Sequence, residues 1–146
     1  MIDEINSLIK DVAHEINYDA CDYEMSMALF PCQVSEGEVH TIASSAFSKP
    51  VSVIEVQPAT TQELLDTVNY ALTYTGHAPS PYMNTSRHQN DVRLVKKAFG
   101  HLLYSGEKVY KFHLNGNHPF CPIMWEFAYC IVFKTHAVVF IASASD

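Results

Sequence analysis

His118 and Cys121, three residues apart in His118-Pro119-Phe120-Cys121, could do nucleophilic chemistry, because an imidazole close to a thiol favours the thiolate. Catalytic Cys and His usually meet in space from distant segments, however, and Pro119 and Pro122 point to a rigid turn into a strand. Eight histidines also invite a metal or a general base. Their spacing supplies neither. There is no H-E-x-x-H, no C-x-x-C among Cys21, Cys32, Cys121 and Cys130, and no His/Asp cluster spaced for a tetrahedral or facial site. No metal and no cofactor is therefore expected, and the cysteines read as reduced thiols of a cytoplasmic protein, with Cys130 packed inside an apolar strand. His77, Ser80, Tyr82, Arg87 and His88 fall in a loop between Gly76 and Asn90 and could line a pocket. Without a phosphate-cradling glycine pattern or a G-x-S-x-G elbow, a polar surface loop is the plainer reading.

The acids make the stronger pattern. Residues 1–66 hold twelve Asp/Glu against two lysines, a charge of −10, whereas residues 67–146 hold four acids against seven Lys/Arg, a charge of +3. Eight of the acids, Glu4, Asp11, Glu15, Asp19, Asp22, Glu24, Glu36 and Glu38, are accompanied only by Lys10 across Glu4–Glu38. Any one of them reads as part of a solvated face. Together they create a field that can steer a basic partner and raise its association rate by orders of magnitude. Such a balance also excludes a direct nucleic-acid ligand, because neutralising phosphates needs clustered Lys and Arg.

These side chains must be positioned by regular elements. Ile2, Ile5, Ile9, Val12 and Ile16 recur at helical spacing, and Glu4, Asp11 and Glu15 then share a strip roughly opposite that apolar stripe. Asp11 and Glu15 are like charges at i, i+4 near the helix end, so helix stability does not explain them. Met25, Met27 and Leu29 alternate as in a half-buried strand, Ser35–Glu38 turns the chain, and Val39–Ser44 is expected to return as a second hairpin arm. Val51–Val56 reads as a strand. Thr60 and Glu63 form a capping box for a helix ending near Gly76, and Asn90 is expected to cap a third helix from Asp91. Lys108–Leu114 and two strands between about Met124 and Ala142 close the chain, with Trp125, Phe127 and Tyr129 at core spacing. The order α-β-β-β-α-α-β-β-β predicts an α+β fold: a largely antiparallel sheet of about five or six strands covered by three helices.

A chain of 146 residues fits a single globular domain, 1–146, able to bury roughly 68–70% of its unfolded surface without staples. Asp3 and Glu4 stand where a secretory signal would place Lys or Arg, and the apolar runs fall far short of the ~20 residues that cross a bilayer, so no export signal and no membrane partner is expected.

His118, Pro119, Phe120, Pro122, Trp125 and Phe127 spell H-P-F-x-P-x-x-W-x-F, followed by an apolar strand and the tail Ser143-Ala144-Ser145-Asp146. In this closing stretch of 29 residues the chain resembles immunity proteins of bacterial polymorphic-toxin and contact-dependent growth inhibition systems. The larger immunity group similar to a yeast cell-wall regulator family would show an early L-P-x-D-Y entry and an N-G-G turn, which this chain lacks. The resemblance implies a cytoplasmic stoichiometric inhibitor that binds a cognate toxin domain, often a basic nuclease, and occludes its active site. The eight acids would be its partner-binding residues, standing in for substrate phosphates. Two other classes compete: a small enzyme built on a Cys/His site, and a homo-oligomeric subunit pairing through the C-terminal sheet edge.

Overall fold

Period-two burial over Met25, Met27 and Leu29 and continuous burial from Ala137 to Ala144 require one strand with a single heavily packed face and another packed on both. The computed structural model, which describes residues 1–20, 23–76, 78–120, 122 and 124–145, supplies both in one five-stranded sheet. In chain order the elements are α1 (Ile2–Asn17), β1 (Glu24–Pro31), α2 (Val39–Ser44), β2 (Ser52–Ala59), α3 (Thr61–Thr73), α4 (Ser86–Tyr104), β3 (Lys108–Asn115), β4 (Trp125–Val132) and β5 (Ala137–Ser145). The strands lie in the order β1-β5-β4-β3-β2, and every neighbouring pair is antiparallel. This is an α+β fold.

β5 is the centre. Val138, Phe140 and Ala142 face α1, α3 and α4, while Val139 and Ile141 face the smaller layer carrying α2. The helical side packs Ile5, Ile9, Val12 and Ile16 of α1, Leu64, Val68 and Leu72 of α3, and Val95 and Phe99 of α4 against the sheet. On the other side Ile42 and Ala43 of α2 meet Val53, Phe112 and Cys130. Asn115-Gly116-Asn117 turns β3 toward β4, with Gly116 and Asn117 at φ of 79° and 42°, a conformation that favours these residue types.

Three expectations are corrected. Val39–Ser44 is the helix α2 and not a hairpin arm. The reason is topological: β1 and β2 occupy opposite edges of the sheet, so their connection crosses its face, and the outer side of β1 is already taken by α1. The helix expected from Asp91 starts at Ser86, capped by Thr85, whose hydroxyl accepts the His88 N–H at 3.2 Å. Its first turn shows no apolar periodicity because the residue it buries is a histidine. Finally, the C-terminal strand is interior, flanked by β1 and β4, so it offers no free edge for pairing with a second copy.

Candidate functional site

The position of the acidic strip on α1 follows from two asparagines that fix the helix against β1. Asn6 donates from Nδ2 to the Leu29 carbonyl at 2.9 Å and accepts the Leu29 N–H on Oδ1 at 2.8 Å. Asn17 does the same to Met25, at 2.9 and 2.7 Å. Eleven residues are three helical turns plus about 20°, so both side chains leave α1 at nearly one azimuth. They satisfy backbone groups on the outer edge of β1. With that azimuth fixed and the isoleucine stripe turned into the core, Glu4, Asp11 and Glu15 lie roughly 130–170° around the helix from the asparagines. Glu4 and Asp11 are exposed, and Glu15 is half-buried.

Among the described residues Glu15 is the one acid of this set that finds a cation. Arg87 Nη2 donates to its Oε1 at 2.9 Å, and Ser80 Oγ donates to its backbone carbonyl at 3.0 Å, which ties the C-terminal end of α1 to the start of α4. Arg87 also lies 4.0 Å from Asp91 and 5.5 Å from the centre of the Tyr82 ring. Tyr82 donates its hydroxyl to Asp91 at 2.8 Å. Burial first, then the bond to Asp91, pushes that phenol well above its usual range, and the hydrogen bond and charge of Glu15 hold the Arg87 guanidinium in its charged form. Glu15, Ser80, Tyr82 and Arg87 border an open cavity of about 420 Å³ together with Tyr18 and Asp19.

Of the other acids, Asp19, Glu24, Glu36 and Glu38 are exposed. Glu38 occupies the N-cap position of α2 without making a side-chain cap bond. Asp22 lies outside the described residues, as do Cys121 and His77.

The candidate catalysts are engaged elsewhere. His88, 1% exposed, accepts the Asn84 N–H on Nδ1 at 3.0 Å and so carries its proton on Nε2, which faces the Leu72 carbonyl at 2.8 Å. It joins the end of α3 to the start of α4. His118 accepts the Phe120 N–H on Nδ1 at 3.0 Å and faces Glu126 with Nε2 at 3.2 Å, so neither imidazole keeps a free nitrogen. Among the described residues no group of three His, Cys, Asp or Glu is arranged to hold a metal ion.

Cys130 is fully buried and Cys32 half-buried, both on the α2 side of the sheet. The Cys130 thiol and the Ser45 hydroxyl pull Cys32 below its usual pKa against burial; contact with Cys32, then burial, pushes Cys130 up. Cys32 bonds to Ala137 and Cys130 lies opposite Val139, so the two flank β5. Both thiols are free.

The aromatic strand packs onto α3. Tyr70 meets Trp125 and Phe127 edge-on at 5.6 and 5.7 Å, and Tyr74 lies 5.7 Å from Tyr23. Tyr129 shares a 2.7 Å hydrogen bond with Thr67. The Tyr23 hydroxyl and the Trp125 indole N–H are buried without a hydrogen-bond partner among the described residues. Among the described residues no helix is long and apolar enough to cross a membrane.

Reasoning from sequence missed the asparagine clamp and the Glu15–Arg87 pair. The first had a signal, the eleven-residue spacing of Asn6 and Asn17 on one helix azimuth. The second, between residues 72 apart, had none. No family model, curated protein or solved structure matches the chain, so its residues and their geometry carry the functional reading.

Proposed function

We propose that this chain is an immunity-type binding protein: it docks a basic partner, a toxin domain, against its acidic surface and occludes that domain's active site. The observation that carries the reading is uncompensated charge. Glu4, Asp11, Asp19, Glu24, Glu36 and Glu38 are exposed, and none forms an ion pair or side-chain hydrogen bond among the described residues. Among the described residues none of these carboxylates makes a side-chain cap bond or ties two elements together, and only Glu4, in the first turn of α1, stands where an acid favours a helix. Six unpaired carboxylates raise the self-repulsion of the fold, a cost that a cationic partner would relieve.

The strip on α1 is the main part of the proposed surface. Glu4 and Glu15 are separated by about 17 Å along the helix axis, enough to span several cationic side chains of a partner. Glu36 and Glu38 belong to the connection that leads into α2, on the other side of the sheet, and form a second and separate acidic patch. Carboxylates presented this way can pair with the Arg and Lys that a nuclease uses for phosphates, which supports a nuclease toxin as the target.

The test is co-expression with the toxic C-terminal domain of a secreted protein encoded beside this gene. Growth should be restored by the parent chain and lost when Glu4, Asp11 and Asp19 are changed to Lys. Full protection by that triple variant would refute the acidic-face reading. Glu15 is left unchanged because its substitution would also break the Arg87 contact.

A further inference from the structure

The +3 half of the chain concentrates its charge on α4, and one part of that helix borders a pocket with chemistry opposite to that of α1. Residues 89, 93 and 96 follow the i, i+4, i+7 spacing of one helix face, and residues 69 and 73 of α3 follow i, i+4. Together with Asn84 they enclose an open pocket of about 310 Å³ between α3 and α4. Small-molecule sites begin at roughly 300 Å³. The polar lining comprises Arg93, Lys96, His88, the carboxamides of Asn69, Asn84 and Gln89, and one threonine, with no carboxylate.

Both cations are held but not neutralised. Arg93 Nη2 donates to Asn90 Oδ1 at 2.8 Å, and Lys96 Nζ donates to Asn69 Oδ1 at 3.2 Å. Neither forms an ion pair among the described residues, although Arg87, earlier on the same helix, pairs with Glu15. Neutral amide oxygens fix the position of the two cations while leaving their charge available. One wall is rigid, because the His88 ring is bonded through both nitrogens. Val92, buried beneath, gives an apolar floor.

We infer that this pocket binds a small phosphate ester. Its dianionic group is held by Arg93 and Lys96 through charge-assisted hydrogen bonds, with the planar guanidinium able to bond two phosphate oxygens at once. The three carboxamides offer donors and acceptors to hydroxyl groups on the rest of the ligand. The site uses none of the acidic residues proposed to meet a protein partner, and it stands or falls separately.

The experiment is an amide-resolved NMR titration of the full chain with inorganic phosphate, glycerol 3-phosphate and succinate. Saturable shifts centred on Asn69, Asn84, Gln89, Arg93 and Lys96 are expected, at lower concentration for glycerol 3-phosphate than for inorganic phosphate. Arg93→Gln and Lys96→Gln should each weaken binding about tenfold, the loss of one charge-assisted bond. Lys97→Gln, outside the pocket lining, should leave it unchanged. Shifts that stay linear to roughly 50 mM, too weak for a site, or an equal response to Lys97→Gln would overturn the proposal. Tighter binding of succinate than of glycerol 3-phosphate would overturn the assignment to phosphate esters. Thermal melts of each variant separate loss of binding from loss of fold.

Discussion

His88 shows how a residue type that suggests chemistry can serve structure instead. Both its nitrogens are bonded to backbone groups, and its ring packs 5.1 Å from that of Tyr82. His88→Ala would leave the Leu72 carbonyl and the Asn84 N–H without their partner and open a void, so unfolding free energy in urea should fall by about 2–4 kcal/mol. A loss within experimental error would contradict the bridging role. Tyr23 predicts the reverse sign: Tyr23→Phe removes a buried hydroxyl that has no partner among the described residues and should stabilise the chain by about 1 kcal/mol. Tyr23, Tyr82 and Tyr129 also share a pH signature, since burial raises all three phenols above 10. Unfolded phenols ionise near pH 10 while the folded ones stay protonated, so this contribution to stability is complete below pH 10 and lost as pH rises above it. Stability measured between about pH 9 and 12 should decline, and less steeply for Tyr23→Phe. Roles of this kind were only partly legible in sequence. Cys130 reads correctly as packing from its apolar neighbours, whereas the bonds of His88 depend on where Leu72 and Asn84 come to lie in space.

The strongly periodic elements could be read directly from sequence. The stripe of α1, the Thr60 capping box of α3 and the paired strands β4 and β5 all follow from residue spacing, and Thr60 does accept the Glu63 N–H at 3.1 Å. α2 and the first turn of α4 could not be read this way, because the first owes its form to the crossing from one sheet edge to the other and the second buries a polar ring. Both sheet edges are closed by local devices. On β2 the register breaks between Ile54 and Gln57, Glu55 adopts φ of 54°, and Pro58 removes an N–H, which together blunt the edge. On β1 the closure is the asparagine clamp. Asn6→Ala with Asn17→Ala should expose that edge, cost about 2–3 kcal/mol in total, and produce concentration-dependent association in sedimentation velocity. A double variant that is as stable as the parent and equally monodisperse would show that the clamp is dispensable.

Taken as a whole, the molecule separates its charges. α1 carries unpaired acids outward, α4 carries cations held by amides, and the Glu15–Arg87 pair joins the two helices where they meet. That pair is exposed on the Arg side, so solvent screens it and urea denaturation of Arg87→Ala should show a midpoint close to that of the parent chain. The charge imbalance was legible from composition alone, and it points to the same α1 surface that the structure leaves open. Which acids are compensated was not legible, since the arginine that pairs with Glu15 comes from a distant segment. Stopped-flow association of the purified chain with the basic toxin domain proposed as its partner, followed across ionic strength, tests this surface most directly. With Glu4, Asp11 and Asp19 changed to Lys, the association rate at low salt should fall at least about tenfold and its dependence on salt should flatten. A rate and a salt slope equal to those of the parent chain would contradict an acidic docking face.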